Sequence, residues 1–196
     1  TLVEISASSI VENVAGSVVG TLTTVDDDNI HGDTHTYALS GTDLDSFEII
    51  NDQLKLLDSV SADYEVQNSY SVTVTTTDTA ETTESQEFSL EVNDINEAPT
   101  LVNALVDQNN DEDVVFDFTV PMYTFDDVDT NDTLIYTASL NDGSALPSWL
   151  SFDAATQRFT GTPLNSDVGA ISVQVTATDS AGLAITDTFT LVVANI

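Results

Sequence analysis

The sequence predicts an all-β fold: two tandem immunoglobulin-like β-sandwiches, each with seven strands in Greek-key order. The first observation is a period-two pattern, because apolar residues alternate with hydroxyl residues in many short runs. The second observation is that the two halves of the chain repeat each other. Each half has about 100 residues and holds about seven such runs, which is typical of a β-sandwich. No segment shows a helical period.

The internal repeat indicates duplicated domains. Residues 72–80 match residues 173–181 at an offset of 101, and Glu12 pairs with Glu112 at one residue less. The offset of 101 also relates Phe88 to Phe189, Leu90 to Leu191, Val92 to Val193, Asp26 to Asp127, and Asp28 to Asp129. A fixed offset over separate blocks favours duplication over chance. We therefore expect domains at residues 1–97 and 98–196.

The individual strands follow from the alternating runs and from the turn residues between them. In the first domain strands are expected at residues 18–22, 35–39, 47–50, 53–57, 70–75 and 88–92. In the second domain they are expected at 116–120, 134–138, 149–152, 158–160, 171–175 and 189–193. Turns are expected at 51–52 and 143–144, and 153–157 is either one helical turn or a plain loop.

The charge balance excludes several classes of partner. The chain has 34 acidic residues against Lys55 and Arg158, for a net charge of -32. This charge repels phosphate backbones and anionic membranes, so neither nucleic acid nor a membrane surface is an expected partner. A salty environment suits such a chain because salt screens its self-repulsion. No apolar run approaches the ~20 residues of a membrane span, so direct membrane insertion is not expected.

The chain has no cysteine, which favours a bacterial product, or metal in place of disulfides as the stabilising cross-link. It begins at Thr1 without Met and ends within an alternating pattern at residues 192–196. We therefore expect part of a longer protein.

The segment between the domains is rich in oxygen donors. It contains Asp94, Asn96 and Glu97 and ends at Pro99. A flexible linker would more often use Gly and Ser. Ca²⁺ takes six to eight oxygen ligands from carboxylates, amides and backbone carbonyls. The linker composition therefore predicts a hinge that Ca²⁺ stiffens.

Further acidic residues lie at strand ends and in loops, where they could join such a site. Asp63 and Glu65 are two positions apart and would share a face in an extended segment. For any single acid, a solvated turn is the simpler interpretation. The repeat, however, places acids at corresponding positions of both halves. The candidates in addition to the linker are Glu12, Asp63, Glu65, Asp127, Asp129 and Asp179.

The first domain resembles a cadherin repeat. Glu12-Asn13 with Gly16 resembles its N-terminal motif, and residues 26–28 resemble its DxD motif. Residues 62–65 resemble LDxE with Ala for Leu, and Thr77-Asp78 resembles the AxD position. The linker resembles DxNDNxP, but it is one residue shorter and has Glu97 for the second Asp.

The second domain is similar to the dystroglycan-type cadherin-like module. The similarity rests on residues 146–150 (Leu-Pro-Ser-Trp-Leu), 159–163 (Phe-Thr-Gly-Thr-Pro) and 177–182 (Ala-Thr-Asp-Ser-Ala-Gly). The pair as a whole resembles repeats of large bacterial (RTX-type) surface adhesins.

The resemblance implies Ca²⁺ as the bound cofactor, with two or three ions at the linker. The implied ligands are Glu12, Asp63, Glu65, Asp94, the Ile95 carbonyl, Asn96, Glu97, Asp127, Asp129 and Asp179. Asp26, Asp28 and Asp78 would serve a preceding linker, and Glu112 a following one. The implied function is a rigid, extracellular, cell-surface adhesion module. Its partners would be neighbouring repeats and a glycan or protein ligand.

An alternative function is carbohydrate binding, since some dystroglycan-type modules are implicated in glycan recognition. An exposed aromatic ring with convergent amides would favour that alternative. A homophilic animal cadherin is a weaker third interpretation. An enzyme is not expected, because the chain has no nucleophile elbow, no phosphate-binding Gly-rich loop and no Cys.

Two further groups of residues are interpreted as structural. The resemblance implies that Trp149 packs in the core, and Tyr123, Tyr136, Phe125 and Phe152 are expected to pack there for the same reason. The run 31–35 (His-Gly-Asp-Thr-His) is expected to be a polar turn, because no third type of metal ligand accompanies the two imidazoles.

Overall fold

A computed structural model describes residues 2–26 and 34–196 and divides the chain into two compact units. Unit 1 is Thr1–Ile95 and unit 2 is Asn96–Ile196. The predicted all-β fold of two immunoglobulin-like domains is confirmed. The only helices in the described ranges are two short 3₁₀ turns, Leu44–Ser46 and Asn165–Asp167.

Unit 1 is a sandwich of two four-stranded sheets, with orders β1-β3-β6-β5 and β2-β8-β7-β4. Its first strand is divided between the sheets, because β1 pairs with β3 whereas β2 pairs in parallel with β8. Counting β1 and β2 as one interrupted strand gives the seven strands of the predicted fold, although the sequence located only the other six. The strands are β1 (Leu2–Ile5), β2 (Ser9–Val11), β3 (Val18–Val25), β4 (Thr36–Ser40), β5 (Phe47–Ile50), β6 (Gln53–Leu56), β7 (Ser69–Thr77) and β8 (Thr83–Asn93).

The core of unit 1 follows from the period-two pattern. Along β7, Tyr70, Val72 and Val74 are buried while the intervening residues are only partly covered. Side chains on alternate positions point to opposite faces of a strand, so one face of β7 packs inward. Leu90 and Val92 of β8 add to the same core.

The hairpin between β5 and β6 has the tight turn that the sequence predicts. Ile50 pairs with Gln53, which leaves Asn51 and Asp52 as a two-residue loop. Their φ angles of 51° and 61° are left-handed. This conformation is that of a type I′ turn, which Asn and Asp tolerate and which matches the twist of the flanking strands.

Unit 2 repeats this architecture with sheets β10-β17-β16-β13 and β11-β15-β14 and a short pair, β9-β12. Its strand β10 pairs in parallel with β17, as β2 does with β8 in unit 1. The strands are β9 (Thr100–Leu101), β10 (Gln108–Asp111), β11 (Phe116–Thr119), β12 (Phe125–Asp126), β13 (Ile135–Leu140), β14 (Leu150–Asp153), β15 (Arg158–Gly161), β16 (Gly169–Thr178) and β17 (Ala184–Ala194).

Aromatic rings fill the core of unit 2. Phe159 contacts Phe189 with ring centroids 5.6 Å apart, and Phe118 lies 5.2 Å from Phe189. Trp149 packs against this cluster, as expected. The expectation for Tyr123 was wrong, since its side chain is 68% exposed. Its backbone is left-handed, with a φ of 65°, a conformation that is uncommon for a bulky residue.

Residues 153–157, which the sequence left as either a helical turn or a loop, connect β14 to β15. These residues form a turn, closed by Gln157 at a φ of 55°, and not a helix. At the other end of the hairpin, Gly161 lies against the main chain of Trp149. A Cβ atom at position 161 would be 2.0 Å from the Trp149 carbonyl oxygen, so only glycine fits there.

Candidate metal centre

Glu12 anchors the linker end of unit 1. It follows β2 and is only 1% exposed. Its Oε2 accepts a hydrogen bond from the Tyr64 N–H at 2.7 Å, and its Oε1 accepts one from the Ile95 N–H at 2.5 Å. A buried carboxylate needs such partners. Glu12 therefore ties the loop at residues 63–65 and the last residue of the unit to the same point.

The loop at residues 63–65 is a turn and not the extended segment in which Asp63 and Glu65 would share a face. Asp63 Oδ1 accepts the Val66 N–H at 3.0 Å, and the Asp63 carbonyl accepts the Gln67 N–H at 2.9 Å. An Asp side chain that bonds the backbone ahead of it favours a turn over a strand. Asp63, Glu65 and Asp94 are all exposed.

The first residues of unit 2 bind two of the predicted acids. Asn96 Nδ2 donates to Asp179 Oδ2 at 2.9 Å and to the Glu97 carbonyl at 2.8 Å. The Glu97 N–H donates to Asp129 Oδ2 at 3.0 Å. Asp129 in turn donates its own N–H to Asp127 Oδ1 at 3.1 Å. Unit 2 therefore brings together Asn96, Glu97, Asp127, Asp129 and Asp179.

Three carboxylates of unit 2 converge on one point. Asp127, Asp132 and Asp179 each offer an oxygen within 4.8 Å of the others. Asp179 is 3% exposed. Within the described part of the chain, Asp127 Oδ2 is shielded from solvent and has no hydrogen-bond partner.

Asp132 was missed by the sequence reasoning. It reaches the cluster through a turn in which its N–H donates to the Asp129 carbonyl at 2.9 Å. The Ser180 hydroxyl then holds Asp132 Oδ1 at 2.5 Å, next to Asp179. The available signal was the i, i+3 spacing of Asp129 and Asp132, which a turn brings together.

The electrostatics of the cluster differ from one carboxylate to the next. Burial raises the pKa of Asp127, and the negative charges of Asp129, Asp132 and Asp179 add to the effect. Burial also acts to raise the pKa of Asp179, but hydrogen bonds from Asn96 and the Leu183 N–H hold it below its ordinary value. Two adjacent carboxylates thus differ in how readily they ionise.

No basic side chain is left over for these acids. Lys55 bonds Asp58 at 2.6 Å and lies 3.3 Å from Glu48, and Arg158 forms an ion pair with Asp117. These two are the only basic residues of the chain apart from histidine. A donor set made of oxygen atoms alone suits a hard divalent cation such as Ca²⁺.

The acids predicted for the other linkers have separate surroundings. In unit 1, Asp78 Oδ1 accepts the Ala80 and Thr82 N–H groups at 2.8 Å each. Asp26 Oδ2 lies 3.6 Å from His35 Nε2, a pair that the sequence reasoning did not predict. Asp28, His31 and Asp33 lie outside the described residues. In unit 2, the buried Glu112 is the counterpart of Glu12, and its Oε1 accepts the Ile196 N–H at 3.2 Å.

Comparison with known protein families identifies the fold of unit 2. Residues 98–194 match the family model He_PIG, described as "Putative Ig domain". Unit 2 is thus an immunoglobulin-like domain. No curated protein matches the chain in sequence.

Solved structures similar to the chain are pairs and arrays of cadherin repeats. The EC1–2 pair of human protocadherin-24 is 19% identical with a TM-score of 0.72, covering 98% of this chain and 95% of that one. The EC1–2 pair of human mucin-like protocadherin is 16% identical with a TM-score of 0.57, covering 100% and 99%. Mouse cadherin-23 EC22–24 is 20% identical with a TM-score of 0.63, covering 100% and 64%.

These identities establish the fold alone, and that fold is cadherin-like in both units. Over the described ranges, neither 3₁₀ turn has the length or the apolar character that crossing a membrane requires.

Proposed function

We propose that two units with the cadherin-repeat fold form a Ca²⁺-binding adhesion module of a bacterial secreted or surface adhesin. Ca²⁺ at the linker would be held by acids of both units and would stiffen the pair. One observation carries the proposal: predicted ligands hydrogen-bond the linker backbone or the linker amide. Glu12 bonds the Ile95 N–H, Asp129 bonds the Glu97 N–H, and Asp179 bonds the Asn96 amide.

The donor chemistry supports the choice of Ca²⁺. The proposed ligands are Glu12, Asp63, Glu65, Asp94, the Ile95 carbonyl, Asn96, Glu97, Asp127, Asp129 and Asp179. To these the geometry of unit 2 adds Asp132. Two or three ions with about six to eight oxygen ligands each could share such a set. Because no lysine or arginine pairs with these carboxylates in the described part of the chain, a bound metal cation would offset their mutual repulsion.

The expected affinity matches an extracellular location. Extracellular Ca²⁺ modules bind at about 10⁻⁴–10⁻³ M, so their sites fill outside the cell and stay mostly empty in the cytosol. At a hundredfold excess over Kd, each filled site would stabilise the bound state by about 2.7 kcal/mol. The stiffened pair would project or support a distal binding domain, with neighbouring repeats as its partners. We propose no catalytic role.

The proposal is tested by small-angle X-ray scattering with a parallel thermal melt, in excess Ca²⁺ and again in chelator. Ca²⁺ is expected to lengthen and stiffen the particle and to raise its Tm. The variants Glu12→Gln and Asp179→Asn should weaken both responses, whereas Glu87→Gln, an exposed acid on β8, should not. Identical shape and melting in both buffers would reject the Ca²⁺ linker.

One observation favours a second function, carbohydrate binding. Tyr123 is exposed on unit 2, and Asn103 Nδ2 donates to its carbonyl oxygen at 2.8 Å. The neighbouring Met122 is 77% exposed. An exposed aromatic ring beside an amide could stack on a sugar. A panel of neutral polysaccharides tests this function, with Tyr123→Ala expected to abolish binding and Tyr136→Phe to retain it.

A further inference from the structure

Unit 2 has an open edge between its two main sheets. In the part of the chain that the structure describes, β13 pairs only with β16, and β14 pairs only with β15. Between β13 and β14 lies a shallow, open cavity of about 370 Å³. Its lining carries no charge, and its larger apolar side chains are Tyr136, Leu146, Leu150 and Phe152.

Backbone groups of β13 point out along this edge. The Asn141 N–H bonds the Ser172 carbonyl of the β13–β16 ladder at 3.0 Å, whereas the Leu140 N–H bonds the Ser144 carbonyl on the opposite side at 2.8 Å. In an antiparallel pair, the N–H and C=O of one residue point the same way, and the direction alternates along the strand. The N–H and C=O groups of Tyr136 and Ala138 therefore point away from β16.

This edge lacks the usual protection against added strands. Edge strands are normally blunted by charges, prolines or bulges. Residues 133–141 contain no charged residue and no proline, in a chain with 34 acidic residues. The register of β13 with β16 runs without a bulge from Ile135 to Leu140. The edge is therefore a suitable template for another strand.

Acidic groups stand at the ends of both edge strands. Asp142 follows β13, and the Ser144 hydroxyl, bonded at 2.5 Å, holds the pKa of Asp142 below its ordinary value. Asp153 closes β14, and a hydrogen bond from the Thr156 hydroxyl lowers its pKa in the same way. Both carboxylates stay ionised at neutral pH. An uncharged groove between strands that end at carboxylates favours an occupant with an apolar centre and basic ends.

The corresponding edge of unit 1 is more closed than that of unit 2. Its strands β4 and β5, the counterparts of β13 and β14, approach each other along the sandwich edge. The edge of β4 thus serves as an internal control, with the same fold and a similar sequence pattern.

We propose that β13 accepts an extended peptide segment of a partner protein as an added strand. The main chain of the segment would bond the N–H and C=O groups of Tyr136 and Ala138. Alternate apolar side chains of the segment would fill the cavity, and its basic ends would pair with Asp142 and Asp153. Strand addition of this kind gives affinity through the backbone and selectivity through the pockets.

A second copy of this chain is a poor occupant. Each copy carries a net charge of -32, and such charges repel at short range. The proposal goes beyond the Ca²⁺ function and does not depend on it, because no proposed Ca²⁺ ligand lies on β13 or β14. Peptide binding should therefore persist in chelator.

The test begins with random twelve-residue peptides displayed on phage and selected on the whole 196-residue chain. The selected peptides are expected to alternate apolar residues and to carry Lys or Arg at their ends. Hydrogen exchange then locates them. At a peptide concentration ten times Kd, exchange at the Tyr136 and Ala138 amides should slow about tenfold. The amides of β4 should not change.

Two variants make the test specific. Ala138→Pro removes one outward N–H but keeps every bond to β16, which an edge strand tolerates, and it should weaken binding about tenfold or more. Ile135→Ala changes an exposed side chain of the same strand that does not line the cavity, and it should bind as the native chain does. If Ala138→Pro fails to fold by thermal melt, peptides N-methylated at alternate residues replace it and should lose binding.

Several outcomes would overturn the proposal. The first is that the selection yields no peptide, and the second is that a bound peptide protects amides at Tyr123 or on β4 and not on β13. The third is that N-methylated peptides still bind, and the fourth is that the β13 amides are protected only when the chain self-associates. Selection of acidic peptides would also count against it.

Discussion

The carboxylate of Glu12 holds together the linker end of unit 1. It is buried and satisfies two backbone N–H groups from separate segments. Replacement by Gln leaves one N–H facing an amide NH₂ instead of an oxygen. Hydrogen bonds to charged groups contribute about 1.5–3 kcal/mol each. We therefore expect Glu12→Gln to destabilise unit 1 by about 2 kcal/mol in chelator.

Urea denaturation measures this effect with a reporter for each unit. Trp149, in unit 2, is the only tryptophan of the chain, so its fluorescence follows unit 2. Far-ultraviolet circular dichroism follows both units. Glu12→Gln should add an earlier dichroism transition without moving the Trp149 transition, whereas the matched Glu112→Gln should move the Trp149 transition. Equal shifts in both signals for Glu12→Gln would contradict this assignment.

Asp127 is expected to oppose folding when no cation is present. Its folded-state pKa is raised by burial and by nearby carboxylates. Its contribution is thus most favourable below the ordinary Asp pKa and is lost as the pH rises through the raised value. In chelator at neutral pH, Asp127→Asn should raise the Tm of unit 2, and this gain should vanish at acidic pH. The rise in Tm that Ca²⁺ induces should be smaller for this variant than for the native chain.

A thermal melt across pH, in chelator and in Ca²⁺, tests both the expected rise of the Tm in chelator and the smaller response to Ca²⁺. Asp111→Asn, at an exposed acid of unit 2, is the control. A lower Tm for Asp127→Asn in chelator at neutral pH would show that the carboxylate stabilises the cation-free fold.

At the residue scale, the sequence identified acids that the fold brings together and missed those that depend on a turn. Asp127, Asp129 and Asp179 were recognisable because the repeat places acids at the same offset. Asp132 reaches them only through the turn that starts at Asp129. Tyr123 was expected to be buried because the resemblance implies an aromatic core, and nothing in the sequence signals the left-handed backbone that this bulky residue adopts.

At the element scale, the hairpin of β14 and β15 depends on glycine at position 161. An alanine Cβ there would collide with the Trp149 carbonyl, and main-chain atoms cannot move aside as a flexible side chain can. Overpacking typically costs about 1–3 kcal/mol, and we expect Gly161→Ala to cost at least that. Trp149 fluorescence during urea unfolding measures the loss. The neighbouring exposed residue gives the control, Thr162→Ala, which should change little.

Most of the strands that the sequence predicted alternate apolar and polar residues. The strands β7, β8, β16 and β17 show clear alternation and were predicted, although they extend beyond the predicted limits. The strand β10 reads Gln-Asn-Asn-Asp and was missed. Its side chains bury little, and it is a strand because its backbone pairs with β17. Such pairing leaves no trace in hydrophobic periodicity.

At the scale of the whole molecule, charge dominates the response to solution conditions. A net charge of -32 opposes the compact state through self-repulsion. Monovalent salt shortens the screening length to about 10 Å at 0.1 M. We therefore expect NaCl to raise the Tm in chelator, and CaCl₂ at matched ionic strength to raise it further.

Thermal melts over a NaCl series, with MgCl₂ as a second divalent salt, separate screening from specific binding. Equal effects of CaCl₂ and NaCl at the same ionic strength would leave screening as the whole explanation. A Tm that is independent of NaCl would contradict the assumed self-repulsion.

The two-domain organisation was evident in the sequence because duplication leaves a fixed offset over about 100 residues. The open edge at β13 was not evident. The runs at residues 35–39 and 134–138 look alike, yet only three-dimensional packing shows that β4 and β5 approach each other while a cavity separates β13 from β14.

The parallel pairing of β2 with β8, and of β10 with β17, has a mechanical consequence. In each unit these strands lie near the two chain ends of the domain. Tension applied between those ends pulls parallel neighbours in opposite directions along their length. The load then falls on all the hydrogen bonds of the ladder at once, in shear, and does not open them one after another. A unit built in this way resists being pulled apart by tension applied between its two ends.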